Sequence, residues 1–315
     1  MTDNRALSYL PVQPSPDREL MTVSGFTFVR DAVRLDFPLR ESITSVLPIC
    51  DEFIVNVGRS NDGTRRLVDA IGSPKLVVFE SDWDPALFVK GAINAQQTNL
   101  ALDRCTGDWC FYLQADEVVH EDELERIRDC MRRSTDRSGV EGLLFHYYHF
   151  WGSYDRYQTS HGWYDREIRV VRNGRGIRSW KSAQSFRRNG RKLRVVDCEA
   201  HIYHYGWVRH PALMKRKQIA LDSLHHDQDW VRERHPDPRE AFDYGDLSRL
   251  ARFRGTHPAV MDERIAAKSW TAGDFRSPGR VPHKHERIGI RALSWVENRI
   301  LGRRIGAYSN WVLMT

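Results

Sequence analysis

The chain has no run of about 20 apolar residues of the kind a membrane-spanning helix needs. Its first twenty residues, MTDNRALSYLPVQPSPDREL, lack the apolar core of a secretory leader, so the expected compartment is the cytosol. Cysteine is scarce: five in 315 residues, at positions 50, 105, 110, 130 and 198, with no C-x-x-C pair. An odd count in that spacing indicates neither a disulfide framework nor a zinc cluster, and most of the five read as small buried hydrophobes. No G-x-G-x-x-G follows the first strand-like run, which sets aside a dinucleotide-binding dehydrogenase. There is no internal repeat, no low-complexity tract and no zinc-finger or RNA-recognition signature. The net charge is +6, but the excess is concentrated in one stretch, so nucleic acid is not an expected partner.

What is present suits a globular enzyme: 41% hydrophobic residues, enough for one large α/β domain with an appendage. Residues 1–20 carry three prolines and little periodicity and read as a loose arm. Residues 21–209 alternate strand and helix. MTVSGFTFVR reads as a strand, PLRESITSVLPI as a helix opened by Pro38, DEFIVNVG as a strand, TRRLVDAIG as a short helix closed by Gly72, and KLVVFESD as a third strand. This βαβαβ order predicts an α/β fold with a mostly parallel sheet flanked by helices. VKGAINAQQTNLALDRCTG then reads as a helix, with Ile93, Leu100 and Leu102 apolar, leading into the strand WCFYLQ. EDELERIRDCMRRS runs from acidic to basic as a helix should. GLLFHYYHFWG and REIRVVRN follow as antiparallel additions, making the sheet mixed. Residues 210–315 turn polar and helical.

Two segments bring acids to the ends of apolar strands: DEFIVNVGRSNDGT at 51–64 and DWCFYLQADEVV at 108–119. The C-terminal ends of such strands are where open α/β sheets bind ligands. Ser60, Asp62, Gly63 and Thr64 make a turn into a helix, whereas Asp116 and Glu117 offer hard oxygen ligands suited to Mg²⁺ or Mn²⁺. Glu117 would face away from Asp116 in a continuing strand and so reads as a structural residue.

From Thr22 to Lys217 the sequence resembles the family 2 glycosyltransferases of the GT-A fold. The resemblance is carried by VRDAVRLDFPLRESITSVLPICDEFIVNVGRSNDGT, the region of Asn99, GDWCFYLQADEV and HYGWVR at 204–209. It implies transfer of a sugar from a nucleotide-diphosphate sugar to an acceptor hydroxyl, assisted by Mn²⁺ or Mg²⁺ and inverting, with an Asp general base. The acceptor would be a saccharide, a lipid-linked saccharide or a small molecule. It implies a donor site at Val29, Arg30, Asp31, Ser60, Asp62, Asn99, Gln114, Ala115 and Asp116. Asp116 takes the last position of the family's D-x-D-like motif, here QAD, and His204 resembles the distal metal ligand. Gln114 departs from the motif's first acid, as do Val57 and Gly58 from an acid after the second strand; a degenerate nucleotide-sugar binding protein is the alternative. The base is expected at Asp165, beside Trp163 and Tyr164, which could stack on a sugar.

Each of these residues has a plainer reading. Asp62 could be a helix cap, His204 a histidine packed among Tyr203, Tyr205 and Trp207 with His201 in reserve, and Asp165 a surface partner of Arg166. Between Arg166 and Arg194 eleven Lys or Arg face one acid, Glu167, which suits a diphosphate or an acidic acceptor or else a solvated hairpin. HERIGIRALSWVENRILGRR reads as a basic amphipathic helix. It either packs on its own domain or, through residues 286–304, contacts the inner face of an anionic membrane.

Overall fold

The computed structural model describes residues 21–306 and 308–314; the arm expected over residues 1–20 lies outside the described residues. The elements follow in the order β1 (Val23–Val29), α1 (Leu39–Val46), β2 (Glu52–Gly58), α2 (Thr64–Asp69), β3 (Leu76–Ser81), α3 (Ala92–Leu102), β4 (Trp109–Tyr112), β5 (Glu117–Val119), α4 (Leu124–Thr135), β6 (Gly142–Trp151), β7 (Arg156–Gln158) and β8 (Arg166–Arg172). Then come β9 (Ile177–Trp180), β10 (Ser185–Arg188), β11 (Arg191–Trp207), α5 (Pro211–Asp222), α6 (Gln228–Arg234), β12 (Ala251–Arg252), α7 (Asp262–Ala266), α8 (Ile288–Val296) and β13 (Trp311–Leu313).

The main sheet runs β3-β2-β1-β4-β8-β6-β11-β10-β9. Its first four strands are mutually parallel, as the βαβαβ order requires. β8 joins β4 antiparallel, and β6 joins β8 antiparallel. The fold is therefore a mixed sheet flanked by helices. Alternate residues of the parallel strands face two cores. Phe53, Val55, Trp109 and Phe111 pack on the side of α1 and α4, whereas Phe26, Ile54, Cys110 and Tyr112 pack on the side of α3 and the β9–β10 hairpin. Burial on both faces is what continuous apolar strands encode. Close packing fixes one glycine: a Cβ on Gly25 would lie 2.2 Å from the Phe53 ring.

Three readings are corrected. The strand carrying Asp116 does not continue through Glu117: β4 ends at Tyr112, the chain turns, and Glu117 opens β5, which pairs antiparallel with β11. α3 stops at Leu102 rather than running to Gly107. Among the cysteines, Cys130 on α4 and Cys198 on β11 form a disulfide with their Cα atoms 5.8 Å apart, while Cys50, Cys105 and Cys110 are buried thiols. Residues 210–314 contribute α5 to α8, but also β12 and β13, and β13 lies parallel along β11.

The basic stretch is spent largely on internal ties. Arg169 is buried against Glu117, Arg172 closes the end of α4 on the carbonyls of Thr135 and Val140, and Arg178 meets Asp103. Arg188 and Arg191 converge on Glu141 at 2.8 and 2.5 Å. Burial opposes ionisation of Glu141, but Arg191, Arg188 and the Arg194 N–H outweigh it and take its pKa down to about 2. A carboxylate held below its unfolded value stabilises the fold above the unfolded pKa and loses that contribution as pH falls through the folded one. Glu141→Gln should therefore flatten the acid limb of stability between about pH 4.5 and pH 2. Urea unfolding across that range checks it; an unchanged limb would place the acid sensitivity elsewhere.

Candidate functional site

The ends of β1 and β4 lie side by side in the middle of the sheet, and both stop in tight turns. After β1, Asp31 takes φ 55° and donates its backbone N–H to Ser60 Oγ at 3.0 Å, while Arg34 reaches its carboxylate at 2.6 Å. After β4, the Glu117 N–H donates to Gln114 O at 3.0 Å, which turns Gln114, Ala115 and Asp116 towards one cavity of about 690 Å³. Beneath this turn Glu117 receives Arg169 Nε and Nη2, both at 2.7 Å, and the Tyr147 hydroxyl at 2.9 Å. Both charged side chains are fully buried.

Asp116 is the hub of the cavity. Its Oδ2 accepts from Lys217 Nζ on α5 at 2.7 Å, and its Oδ1 lies 3.7 Å from His204 Nε2 on β11. Lys217 also donates to Gly206 O at 2.8 Å. Gly206 is required by this approach, since a Cβ there would stand 2.4 Å from His204 Nε2 and 2.8 Å from Asp116 Oδ2. Burial opposes the Asp116 charge, but Lys217, which also donates a hydrogen bond to it, and the buried Arg209 overcome it and hold its carboxyl well below the usual range. Burial and neighbouring Arg209 bring Lys217 down to about 8 despite the pull of Asp116.

The tautomers of two histidines follow from their partners. His149 Nε2 lies 2.8 Å from Tyr164 O, a pure acceptor, so Nε2 must carry the proton. In a neutral ring His149 Nδ1 is then an acceptor, and His204 Nδ1, 2.9 Å away, must donate to it. His204 Nε2 is left as a bare lone pair facing Asp116 Oδ1. Neutrality holds for both rings, because burial lowers the pKa of each. A carboxylate oxygen and an unprotonated imidazole nitrogen turned towards each other are donor types that could hold a divalent cation. Among the described residues no group of three or more His, Cys, Asp or Glu could hold an ion, so no third side chain of these types joins Asp116 and His204.

On the far side of the cavity Phe28, Trp83 and Phe88 form an aromatic wall, with Arg30 over the Trp83 ring at 5.4 Å. The Trp83 indole N–H and Arg30 Nε are buried donors without a hydrogen-bond acceptor. Arg30 Nε is ion-paired with Asp31 Oδ2 at 3.7 Å but not hydrogen bonded, so both donors suit an acceptor-rich ligand. A second cavity of about 580 Å³ adjoins the first, and Gly162, Trp163, Tyr164, Ser182 and Gln184 line both. Lys181 and Ala183, at φ 53° and 61°, bracket Ser182 in a left-handed conformation that non-glycine residues adopt at a cost. The second cavity also takes in His161, whose Nδ1 lies 2.9 Å from the buried carboxylate of Glu297.

Of the residues expected from sequence, Val29, Arg30, Asp31, Gln114, Ala115, Asp116 and His204 meet at the first cavity. Four do not line it. Ser60 braces the Asp31 turn. Asp62 caps the turn into α2 through Thr64 and the Arg34 N–H, and Asn99 Oδ1 accepts from the Ser179 N–H. Asp165 is exposed and lines neither cavity; its backbone carbonyl serves Tyr147. The reserve histidine, His201, pairs with Glu123 and stacks on Tyr148. Sequence reasoning missed Lys217, His149 and Trp83. The available signals were two glycines: Gly206, and Gly58, whose Cβ would meet the Trp83 indole nitrogen at 2.3 Å.

No family profile matches the chain, and no curated protein matches it. Among solved structures it is similar to residues 1–349 of TarS from S. aureus, at 11% identity over 68% of this chain and 69% of that one, with a TM-score of 0.39. It is also similar to the mannosyltransferase PcManGT of Pyrobaculum calidifontis, solved with GDP-Man and Mn²⁺, at 19% identity over 42% of this chain and 37% of that one, TM-score 0.30. A third likeness is to glucosyl-3-phosphoglycerate synthase of Mycobacterium tuberculosis, at 16% identity over 40% of this chain and 43% of that one, TM-score 0.29.

The Glu117–Arg169 pair predicts a measurable cost. Arg169→Met should destabilise the protein by about 3–5 kcal/mol, because it leaves Glu117 buried and unpaired. The double variant Glu117→Leu/Arg169→Met should recover part of that loss. Denaturant unfolding of the two variants checks both; equal losses would mean that packing around the pair, not the stranded charge, sets the cost.

Proposed function

We propose that this chain is a glycosyltransferase of GT-A type, moving a sugar from a nucleoside-diphosphate sugar to an acceptor hydroxyl. The observation that carries the reading is the Asp116 Oδ1–His204 Nε2 pair, 3.7 Å apart, at the end of β4 in the larger cavity. These two groups fit a divalent ion, Mn²⁺ better than Mg²⁺ because one donor is imidazole. When bound, such an ion neutralises charge on the diphosphate leaving group.

The chain's own groups divide the remaining work. Phe28, Trp83 and Phe88 offer flat faces to a base, and Arg30 and the Trp83 N–H offer donors to ribose or phosphate. Lys217 keeps the Asp116 carboxylate ionised and in place. Gln114 presents an amide where a carboxylate would add negative charge. The acceptor occupies the second cavity, where Trp163 can stack on a sugar face. Inversion needs a base on that side, and His161 is placed for it: with Nδ1–H donated to Glu297, its Nε2 is free to take the hydroxyl proton as the acceptor oxygen attacks. Asp165, expected for this role, is exposed and lines neither cavity.

One observation favours a second reading, a sugar-nucleotide binding protein without turnover: Lys217 already neutralises Asp116 from within. Thermal unfolding with UDP, GDP, CDP and dTDP, each with and without Mn²⁺, separates the readings. A nucleotide at about a hundredfold excess over its dissociation constant should stabilise by about 2.7 kcal/mol. The transferase reading expects a Mn²⁺-dependent shift that Asp116→Ala abolishes. A shift indifferent to Mn²⁺ supports the binding protein, and no shift with any nucleotide defeats both.

His161→Asn should keep the nucleotide shift and lose transfer by about 10²–10⁴-fold. Initial rates with saturating donor check it. Undiminished transfer would move the base elsewhere in the second cavity.

A further inference from the structure

Residues Ile288–Leu301 form α8 and the π-turn that continues it, nine and five residues long. The inner side of this segment is fastened to the loop before β8. The His161 N–H donates to Ser294 Oγ at 2.8 Å, His161 Nδ1 reaches Glu297 Oε1 at 2.9 Å, and Asn298 Nδ2 donates to Thr159 O at 3.0 Å. The orientation of the segment on the body is thereby fixed.

Its outer side is unusual for a surface helix. Ile288, Arg291, Ala292, Trp295 and Arg299 follow the i, i+3, i+4, i+7, i+11 spacing of one helical face. All five are exposed, Ile288 at 83% and Trp295 at 60% of their full surface. The π-turn adds Ile300 and Leu301, and the chain beyond Gly302 adds Arg303 and Ile305. A contiguous set of large apolar side chains in water marks an interaction surface rather than a packed face.

Charge decides the occupant. Arg287, Arg291, Arg299 and Arg303 are exposed, and none has a carboxylate partner among the described residues. The acids of this region are turned inward, Glu297 to His161 and Arg304, and Glu286 to Arg280. A second copy docking by twofold symmetry would set these arginines against themselves. A bilayer with anionic headgroups takes the indole and aliphatic side chains into its acyl boundary and the guanidinium groups at its phosphates. At 1.5 Å per residue the segment is about 21 Å long, short of a span of about 30 Å. Among the described residues no helix is long and apolar enough to cross a membrane. We infer that the outward face of residues 288–305 is a docking surface for an anionic phospholipid bilayer, on which the segment lies in the plane of the interface.

The surface leads directly into the second cavity, since Arg304, Gly306, Tyr308 and Asn310 form one of its walls. Docked in this way, the cavity stands beside the headgroup layer. Resting on the transferase reading above, the acceptor class this favours is a saccharide borne on a lipid.

The test is sedimentation of the full chain with extruded vesicles of phosphatidylcholine, with and without phosphatidylglycerol. Partition should require phosphatidylglycerol, weaken with added salt, and fall at least about tenfold in Arg291→Glu/Arg299→Glu/Arg303→Glu. Ile288→Ser/Trp295→Ser should reduce it independently of charge, and both variants should keep the wild-type melting temperature because the substituted side chains are exposed. No partition, equal partition to neutral vesicles, or partition unchanged in both variants would overturn the proposal. So would a wild-type dimer that Trp295→Ser converts to monomer, which would assign the face to a second copy. Vesicle binding is read without donor or turnover, so its failure is distinct from failure of the nucleotide-dependent thermal shift. A clear preference for water-soluble over lipid-borne saccharide acceptors would overturn the acceptor class while leaving the docking surface standing.

Discussion

Most of the site hangs on the buried contact between Glu117 and Arg169. A carboxylate and a guanidinium removed from water are tolerable only when both are fully hydrogen bonded. Here Glu117 takes two N–H groups from Arg169, the Tyr147 hydroxyl and the Gln114 N–H, while Arg169 spends its remaining donors on the carbonyls of Ile168 and Gln184. The pair thus joins the turn that carries Asp116, the strands β6 and β8, and the loop shared by the two cavities. None of these can shift alone without stranding a charge. That constraint is how a turn with no regular structure from Leu113 to Asp116 holds a carboxylate in one position.

Above this base the site is organised by protons as much as by charge. The carbonyl of Tyr164 fixes a proton on His149 Nε2, His149 then fixes one on His204 Nδ1, and the chain of donors ends at a bare nitrogen beside Asp116. Tyr164 itself borders both cavities, so the segment that shapes the second cavity also sets the tautomer at the first. A change in the Trp163–Tyr164 loop would therefore be felt at His204 without any direct contact. Lys217 completes the arrangement: it meets the Asp116 carboxylate directly, and the buried Arg209 adds a second positive charge to the same centre.

The strands and their order were legible because period and burial agree: apolar runs bounded by Pro38, Gly72 and short acidic turns leave little choice but a parallel half-sheet. The meeting of the β1 and β4 ends at one cavity was legible for the same reason. What was not legible was the course of the chain at two points beyond a strand end, Glu117 and Asp165. Glu117 reads as strand until the turn at Gln114 is known, and Asp165 reads as cavity-facing because its neighbours Trp163 and Tyr164 are. Asp62, Ser60 and Asn99 are polar residues near strand or helix ends, where capping and ligand binding call for the same side chains. Lys217 sits beside Lys215 and Arg216 in a polar helix; Lys215 is buried as well, and only the packing of α5 tells that Lys217 is the one that enters the cavity.

The basic stretch makes the same point about charge. Eleven Lys or Arg with a single acid look like an anion-binding surface, yet Glu117, Asp103 and Glu141, all distant in sequence, absorb Arg169, Arg178, Arg188 and Arg191. Arg187 is consumed by Asn310, which holds the C-terminal segment beside β10. Only Lys181 of that stretch is turned to a cavity, and it is held there on a strained backbone. The exposed arginines of α8 are the converse: they come from an ordinary amphipathic pattern, but the acids that would neutralise them are committed to the interior. Net charge located the excess of cations; pairing decides which of them remain available to an anionic partner, and Arg287, Arg291, Arg299 and Arg303, on the segment that borders the second cavity, are among them.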